Sequence, residues 1–199
     1  MKIIRIALAG GPGSGKTSVL KHLEASVRQQ EKTAVVFLPE TATFHFTHRG
    51  KGLTEIEPLP VRQHYIYSSQ LLSEEVAIRT ADASAVETLI LISDRGMMDL
   101  GVYLEPGDVK KASGLSELPF SHYDMVIYLS GGADISSDDT FRIETADARL
   151  KNEQRAYEIW KQTEKFCPFA VIPQKEQIDD KLLHAKEILN DFLGREIFV

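Results

Sequence analysis

Cysteine is nearly missing. Cys167 is the single one among 199 residues, so no disulfide forms within the chain and no cysteine-rich metal site exists. No apolar run approaches the roughly 20 residues that a membrane-spanning helix needs. A surplus of positive charge is missing too. The 23 Lys and Arg stand against 29 Asp and Glu, a net charge of −6, where a nucleic-acid-binding domain would show a basic excess. Internal repeats and low-complexity tracts are likewise absent. These gaps predict no nucleic acid and no membrane among the partners, and a reducing, cytoplasmic setting. What remains is 43% hydrophobic and 26% charged, ordinary for a globular chain. Its length suffices for one well-cored domain over residues 1–199, with no need for a second.

What is present concentrates at the beginning. Ile3 to Ala9 is a short apolar run suited to a buried parallel strand. It leads into Gly10-Gly11-Pro12-Gly13-Ser14-Gly15-Lys16-Thr17, which fits G-x-x-x-x-G-K-[ST], the Walker A phosphate-binding loop. Val19, Leu20, Leu23 and Val27 follow at helical spacing, predicting a helix from Thr17 to Gln30. Strand, glycine-rich turn and helix are the context the motif requires, and they leave no place for a signal peptide. Gly10, Gly11, Gly13 and Gly15 let the backbone turn its N–H groups inward. With Ser14, Ser18 and the positive end of the helix, they make an anion cradle. Lys16 is placed to reach the β- and γ-phosphates of ATP, and the Thr17 hydroxyl to ligate Mg²⁺.

Four more β-branched or apolar runs follow, at 33–38, 87–93, 123–129 and 169–173. Helical patterns separate them: Val61 to Ala83, Met97 to Leu104, Thr145 to Phe166 and Asp179 to Leu193. Asp179 is a candidate cap for the last of these, and Gly194 a stop. In the first, Val61, Tyr65, Ser68, Leu72 and Val76 share one face, and Gln63, Tyr67 and Gln70 another, which is structural or lines an acceptor pocket. In the third, Leu150, Tyr157 and Trp160 are expected toward the core. Residues 44–60 and 106–119 lack a period and read as loops. His45 and His48, with no third ligand, are a weak metal signal. The alternation predicts an α/β fold: a five-stranded parallel sheet between two helical layers.

Chemistry gathers where strands end. Glu40 follows the second strand, and Asp94-Arg95 close the third, the edge at which open α/β sheets build their sites. Asp94 resembles a Walker B aspartate and joins Thr17 as a candidate Mg²⁺ ligand. Arg95 offers a planar fork to phosphate or carboxylate. Glu40 is a candidate general base for an acceptor hydroxyl, with ATP held beside it. Arg142 and Arg149, with Arg155 further along, are candidates to stabilise charge from a mobile segment near 133–150. The expected function is transfer of the γ-phosphate of ATP to a small acceptor. A nucleotide-binding switch or regulatory ATPase is the alternative, although no guanine-reading N-K-x-D stretch occurs.

With these residues in order, the sequence resembles the small P-loop kinases of nucleosides and nucleotides. Pro39-Glu40 is similar to the proline–glutamate after strand two of deoxynucleoside kinases, whose glutamate activates the sugar hydroxyl. Asp94-Arg95 is similar to the acidic-Arg pair of deoxynucleoside and thymidylate kinases, and Arg142 and Arg149 sit where those families carry an arginine-bearing lid. Pro39-Glu40-Thr41-Ala42, Ser93-Asp94-Arg95-Gly96 and Val171-Ile172-Pro173 resemble more closely still the AAA-like P-loop ATPase/kinase domains related to nicotinamide riboside kinase domains. The resemblance implies a P-loop kinase-like αβα fold with a helical lid, ATP and Mg²⁺ as cofactors, and a nucleoside- or riboside-like acceptor. Relatives of this kind are often dimers, which leaves a homodimer open. Two departures stand out: the lid lacks a dense arginine run, and Gly96 replaces an aromatic or serine.

Overall fold

The structure is a computed structural model that describes residues 1–49, 56–131, 146–174 and 177–199, the side chains of 46–49 and 146–149 excepted. In chain order the elements are β1 (Lys2–Ala9), α1 (Lys16–Ala25), β2 (Thr33–Leu38), α2 (Thr41–Arg49), α3 (Leu59–Ala83) and β3 (Thr88–Asp94). Then come α4 (Asp99–Tyr103), α5 (Pro106–Ser113), β4 (Met125–Leu129), α6 (Ala146–Lys161), β5 (Phe169–Ile172) and α7 (Ile178–Leu193). A 3₁₀ turn, Gln162–Lys165, ends α6.

The five strands form one parallel sheet in the order β2-β3-β1-β4-β5. Strand alternation divides two cores. Ile4, Ile6 and Leu8 point to the face covered by Val19, Leu20 and Leu23 of α1 and Ala185 and Leu189 of α7. Ala7 and Ala9 point to the other face, where Met98, Ala156 and Trp160 pack, while Leu89 and Leu91 meet Ala81 of α3. The predicted αβα layering is therefore the observed one. After β1 the chain runs toward the β2 edge, and after β3 toward the β4 edge. Their neighbouring carboxyl ends thus form a topological switch point, where such sheets open a crevice.

Several local expectations are corrected. The first helix ends at Ala25, and Val27 instead makes an antiparallel bridge with Phe198. Residues 44–49 of the expected loop 44–60 are helical, within α2. Segment 106–119 contains α5, because Pro106 occupies the first turn and Gly114, at φ +75°, closes the helix; proline and glycine act there as a start and a stop. Val109 and Ala112 give α5 a buried face against Leu100 and Leu104. Leu150 is 62% exposed and Tyr157 partly so. Trp160 is buried as expected, with Ala156 beside it on the inward face of α6. The helix α7 begins at Ile178, so Asp179 sits in its first turn rather than at the cap, while Gly194, at φ +64°, ends it as expected. On α3 the Val61, Tyr65, Leu72 and Val76 face is exposed, and Gln63, Gln70 and Glu74 are the residues turned inward.

Candidate active site

The loop after β1 is wrapped tightly. Gly10 has φ +144°, and a Cβ there would lie 2.3 Å from the Leu129 carbonyl oxygen, so only glycine fits. Gly15, at φ +94°, makes the left-handed turn into α1. Lys16 opens that helix and folds back over the loop. Its Nζ donates to the carbonyls of Gly10 (2.9 Å) and Gly11 (2.7 Å) and to Ser14 Oγ (3.2 Å). Burial, and then the like charge of Arg95, lower its pKa to about 7. Carbonyl oxygens thus hold the ammonium where an anion would hold it better. Ser18 lies exposed one turn into the helix, its carbonyl accepting from His22.

Across the crevice, Thr17 Oγ1 donates to Asp94 Oδ2 at 2.5 Å. Asp94 ends β3, directly beside Leu8 of β1. Its other oxygen, Oδ1, is buried with no hydrogen-bond partner. An orphaned carboxylate oxygen beside a hydroxyl is a donor set that suits a hard cation such as Mg²⁺, which takes one or two carboxylates and fills the rest of its shell with water and phosphate. Burial raises the Asp94 pKa, with Lys16 and Thr17 acting against the shift. Among the described residues no cluster of three or more His, Cys, Asp or Glu side chains is placed to hold a metal ion.

Glu40 lies just past β2, and Arg95 just past β3, and they meet. Arg95 Nε donates to Glu40 Oε1 at 2.5 Å, and Thr43 Oγ1 donates to Glu40 Oε2 at 2.8 Å. Burial alone would raise the Glu40 pKa. The Arg95 charge, the Thr43 hydroxyl and Lys16 outweigh it, and the carboxyl is held below its ordinary value. Arg95 adopts φ +72°, a left-handed conformation that costs an arginine energy. Its fork is fixed further by Asp99 Oδ2 at 3.1 Å and Tyr103 at 3.4 Å. Asp99 in turn accepts from the Trp160 indole N–H at 2.7 Å. Lys16 and Asp94 each feel the charges of the other and of Glu40 and Arg95.

Other expected residues fall elsewhere. Arg142 and residues 133–145 of the expected lid lie outside the described residues, as does the Arg149 side chain. Arg155 is spent on structure: it donates to the carbonyls of Gly101 and Leu104 and pairs with Glu105. His45 pairs with Glu57 at 3.0 Å and stacks on Tyr65, while the His48 side chain lies outside the described residues. Sequence reading missed three neighbours of the site. Asp99 stands one helical turn beyond Arg95, a spacing that signals contact. Glu153 and Lys181 come from α6 and α7 by tertiary packing, and no local pattern marks them.

A family model described as an AAA domain matches residues 5–181. The chain belongs to this AAA domain family. A comparison with curated proteins finds no match. Among solved structures, this AAA domain is similar to a deoxyadenosine kinase from M. mycoides with products dCMP and a flexible dCDP bound. Identity there is 14%, over 94% of this chain and 100% of the other, at a TM-score of 0.56. It is also similar to thymidylate kinase from Candida albicans, at 12% identity, 100% and 96% coverage and a TM-score of 0.63. The shared fold is that of the P-loop nucleoside and nucleotide kinases. No helix among the described residues of this AAA domain is long and apolar enough to cross a membrane.

Proposed function

We propose that the chain is an ATP-dependent kinase that phosphorylates a hydroxyl of a small nucleoside-like acceptor. One observation carries this reading: Glu40, bound to Arg95, stands in the same crevice as Lys16 and Asp94. A loop that only gripped a nucleotide would need no second carboxylate there. The fold shared with a deoxyadenosine kinase and a thymidylate kinase supports the same chemistry.

In this reading the glycine-rich loop grips the polyphosphate, and Lys16 leaves its loop carbonyls to pair with the terminal phosphates. Thr17 and Asp94 would hold Mg²⁺, which would supply positive charge against the phosphates. Glu40 accepts the proton of the acceptor hydroxyl. The acceptor oxygen bonds to the γ-phosphorus, the bond from that phosphorus to the bridging oxygen breaks, and ADP departs. Arg95 holds the Glu40 carboxylate and presents its remaining N–H groups to the incoming acceptor. Positioning and charge neutralisation are most of what such a transfer needs.

A coupled ADP-release assay over nucleosides, nucleotides and nicotinamide riboside tests the proposal. Turnover that rises with one acceptor class is the expected result. Stoichiometric ATP binding with no acceptor-stimulated turnover would leave the regulatory ATPase instead. That second reading has one observation in its favour, since both Glu40 oxygens already hold a donor.

A further inference from the structure

Helix α7 sends one lysine back beneath the phosphate loop. Lys181 Nζ donates to the Ser14 carbonyl at 2.8 Å and to the Ser130 carbonyl at 3.2 Å, and the residue is 6% exposed. Its location is unfavourable in two ways. It lies in the first turn of α7, where the helix dipole opposes a cation. Among the described residues no carboxylate stands within ion-pair distance of it, and a buried, unpaired ammonium is costly. Desolvation accordingly lowers its pKa, with Glu153 opposing the shift.

The two carbonyls it holds are not arbitrary. In a trans peptide the C=O and the following N–H point in opposite directions, and the described chain contains no cis bond. With the Ser14 carbonyl drawn toward α7, the Gly15 N–H is turned the other way, away from Lys181. The Ser130 carbonyl is held by the same ammonium, and the next N–H, of Gly131, donates to Glu153 Oε1 at 2.8 Å. Ser14 also contacts both lysines, Lys16 through its hydroxyl and Lys181 through its carbonyl. Gly15 packs closely on α7 as well, since a Cβ there would lie 3.1 Å from Ile178 Cδ1.

We propose that Lys181 is a positioning residue for the polyphosphate: it locks the Ser14–Gly15 peptide with its N–H facing the ligand and adds a second buried positive charge behind the loop. This rests on the reading that the loop binds a nucleoside triphosphate. A cation with no ion-pair partner among the described residues gains one when that ligand arrives. A merely structural lysine would have its worth in the unliganded fold.

Calorimetric titration of full-length wild type, K181M and K181R with ATP and with tripolyphosphate, beside their unliganded melting temperatures, separates these roles. K181M is expected to bind both ligands about tenfold more weakly. Its melting temperature is expected to stay level or rise, because an apolar side chain replaces a buried charge. K181R, which keeps the charge, should recover part of the affinity. Wild-type affinity in K181M overturns the proposal, and so does a melting temperature that falls together with affinity, or a K181M chain that does not fold. A wild-type protein that binds neither ligand overturns the parent reading, and this one with it. Loss of binding in K16M while K181M binds normally leaves the parent reading standing and removes this one.

Discussion

Two of the groups of buried charge among the described residues are built on opposite principles. Near the start of β4, Glu74 of α3 accepts from Arg5 at 3.3 Å, His122 at 2.9 Å and Gln70 at 3.3 Å. At the carboxyl ends of β1 and β3, by contrast, Asp94 keeps an orphaned oxygen, Lys16 settles for carbonyls, and Arg95 holds a left-handed backbone. The first group is satisfied and joins α3 to the sheet. The second leaves hydrogen-bonding capacity unused. Burial of charge is common to both, so burial alone does not mark a site; unmet valence does.

Substitution of one carboxylate in each group sets the contrast most sharply. Glu40→Gln should lower turnover by about three orders of magnitude while ATP affinity and melting temperature hold, as steady-state kinetics, titration and calorimetry would report. Turnover retained in that variant would remove Glu40 as the base. Glu74→Ala should do the reverse. Leaving Arg5 without its partner is expected to cost about 3 kcal/mol in chemical denaturation, with ATP affinity unchanged. A loss of ATP binding there would join the two groups that the structure keeps apart.

Smaller effects refine the comparison. Asp99 touches Arg95 and Trp160, so Asp99→Asn should lower kcat by about tenfold through misplacement of the Arg95 fork. An unchanged pH profile and a larger fall in kcat than in KM would mark it as a support rather than a base. The smallest signal is in pH. Burial raises the Glu74 pKa, but the hydrogen bond and charge of His122, with Gln70 and Arg5, outweigh it and hold the carboxyl below 4.5. The unfolded chain therefore binds more protons as pH falls below that value. The stabilisation from Glu74 is complete above pH 4.5 and drains away below it as the folded group titrates. Stability curves of wild type and E74Q should converge on acidification, and a constant gap between them would refute the assignment.

Physical range explains which parts were legible in the sequence. The five strands were, because each is a dense apolar run, and the central β1, β3 and β4 are buried on both faces along most of their length. The loop at 10–17 was, because its glycines and Lys16 act within one local turn. The meeting of Arg95 with Glu40 follows from the sheet, because parallel strands bring their carboxyl ends to one edge. Lys181 was not legible, because it meets Ser14 across 167 positions, and its contact depends on how α7 packs. Segment 106–113 reads as loop because its proline and glycine start and stop a short helix as readily as they fill a loop, and 44–49 lack the apolar period that marks a helix. The outward face of α3 was hidden for another reason. Its apolar stripe competes with a polar one, and the inward face is set by tertiary contacts: Glu74 with Arg5 and His122, and Ala77, Ile78 and Ala81 against the sheet.

Trp160 is the chain's one tryptophan, and its buried indole donates to the aspartate that steadies Arg95. Excitation of the native protein at the red edge of aromatic absorption therefore addresses a single fluorophore three hydrogen bonds from Glu40. Any ligand that draws the guanidinium away from Asp99 alters the polarity around that ring, and its emission shifts accordingly. The molecule carries its own optical gauge of crevice occupancy, with no label to attach.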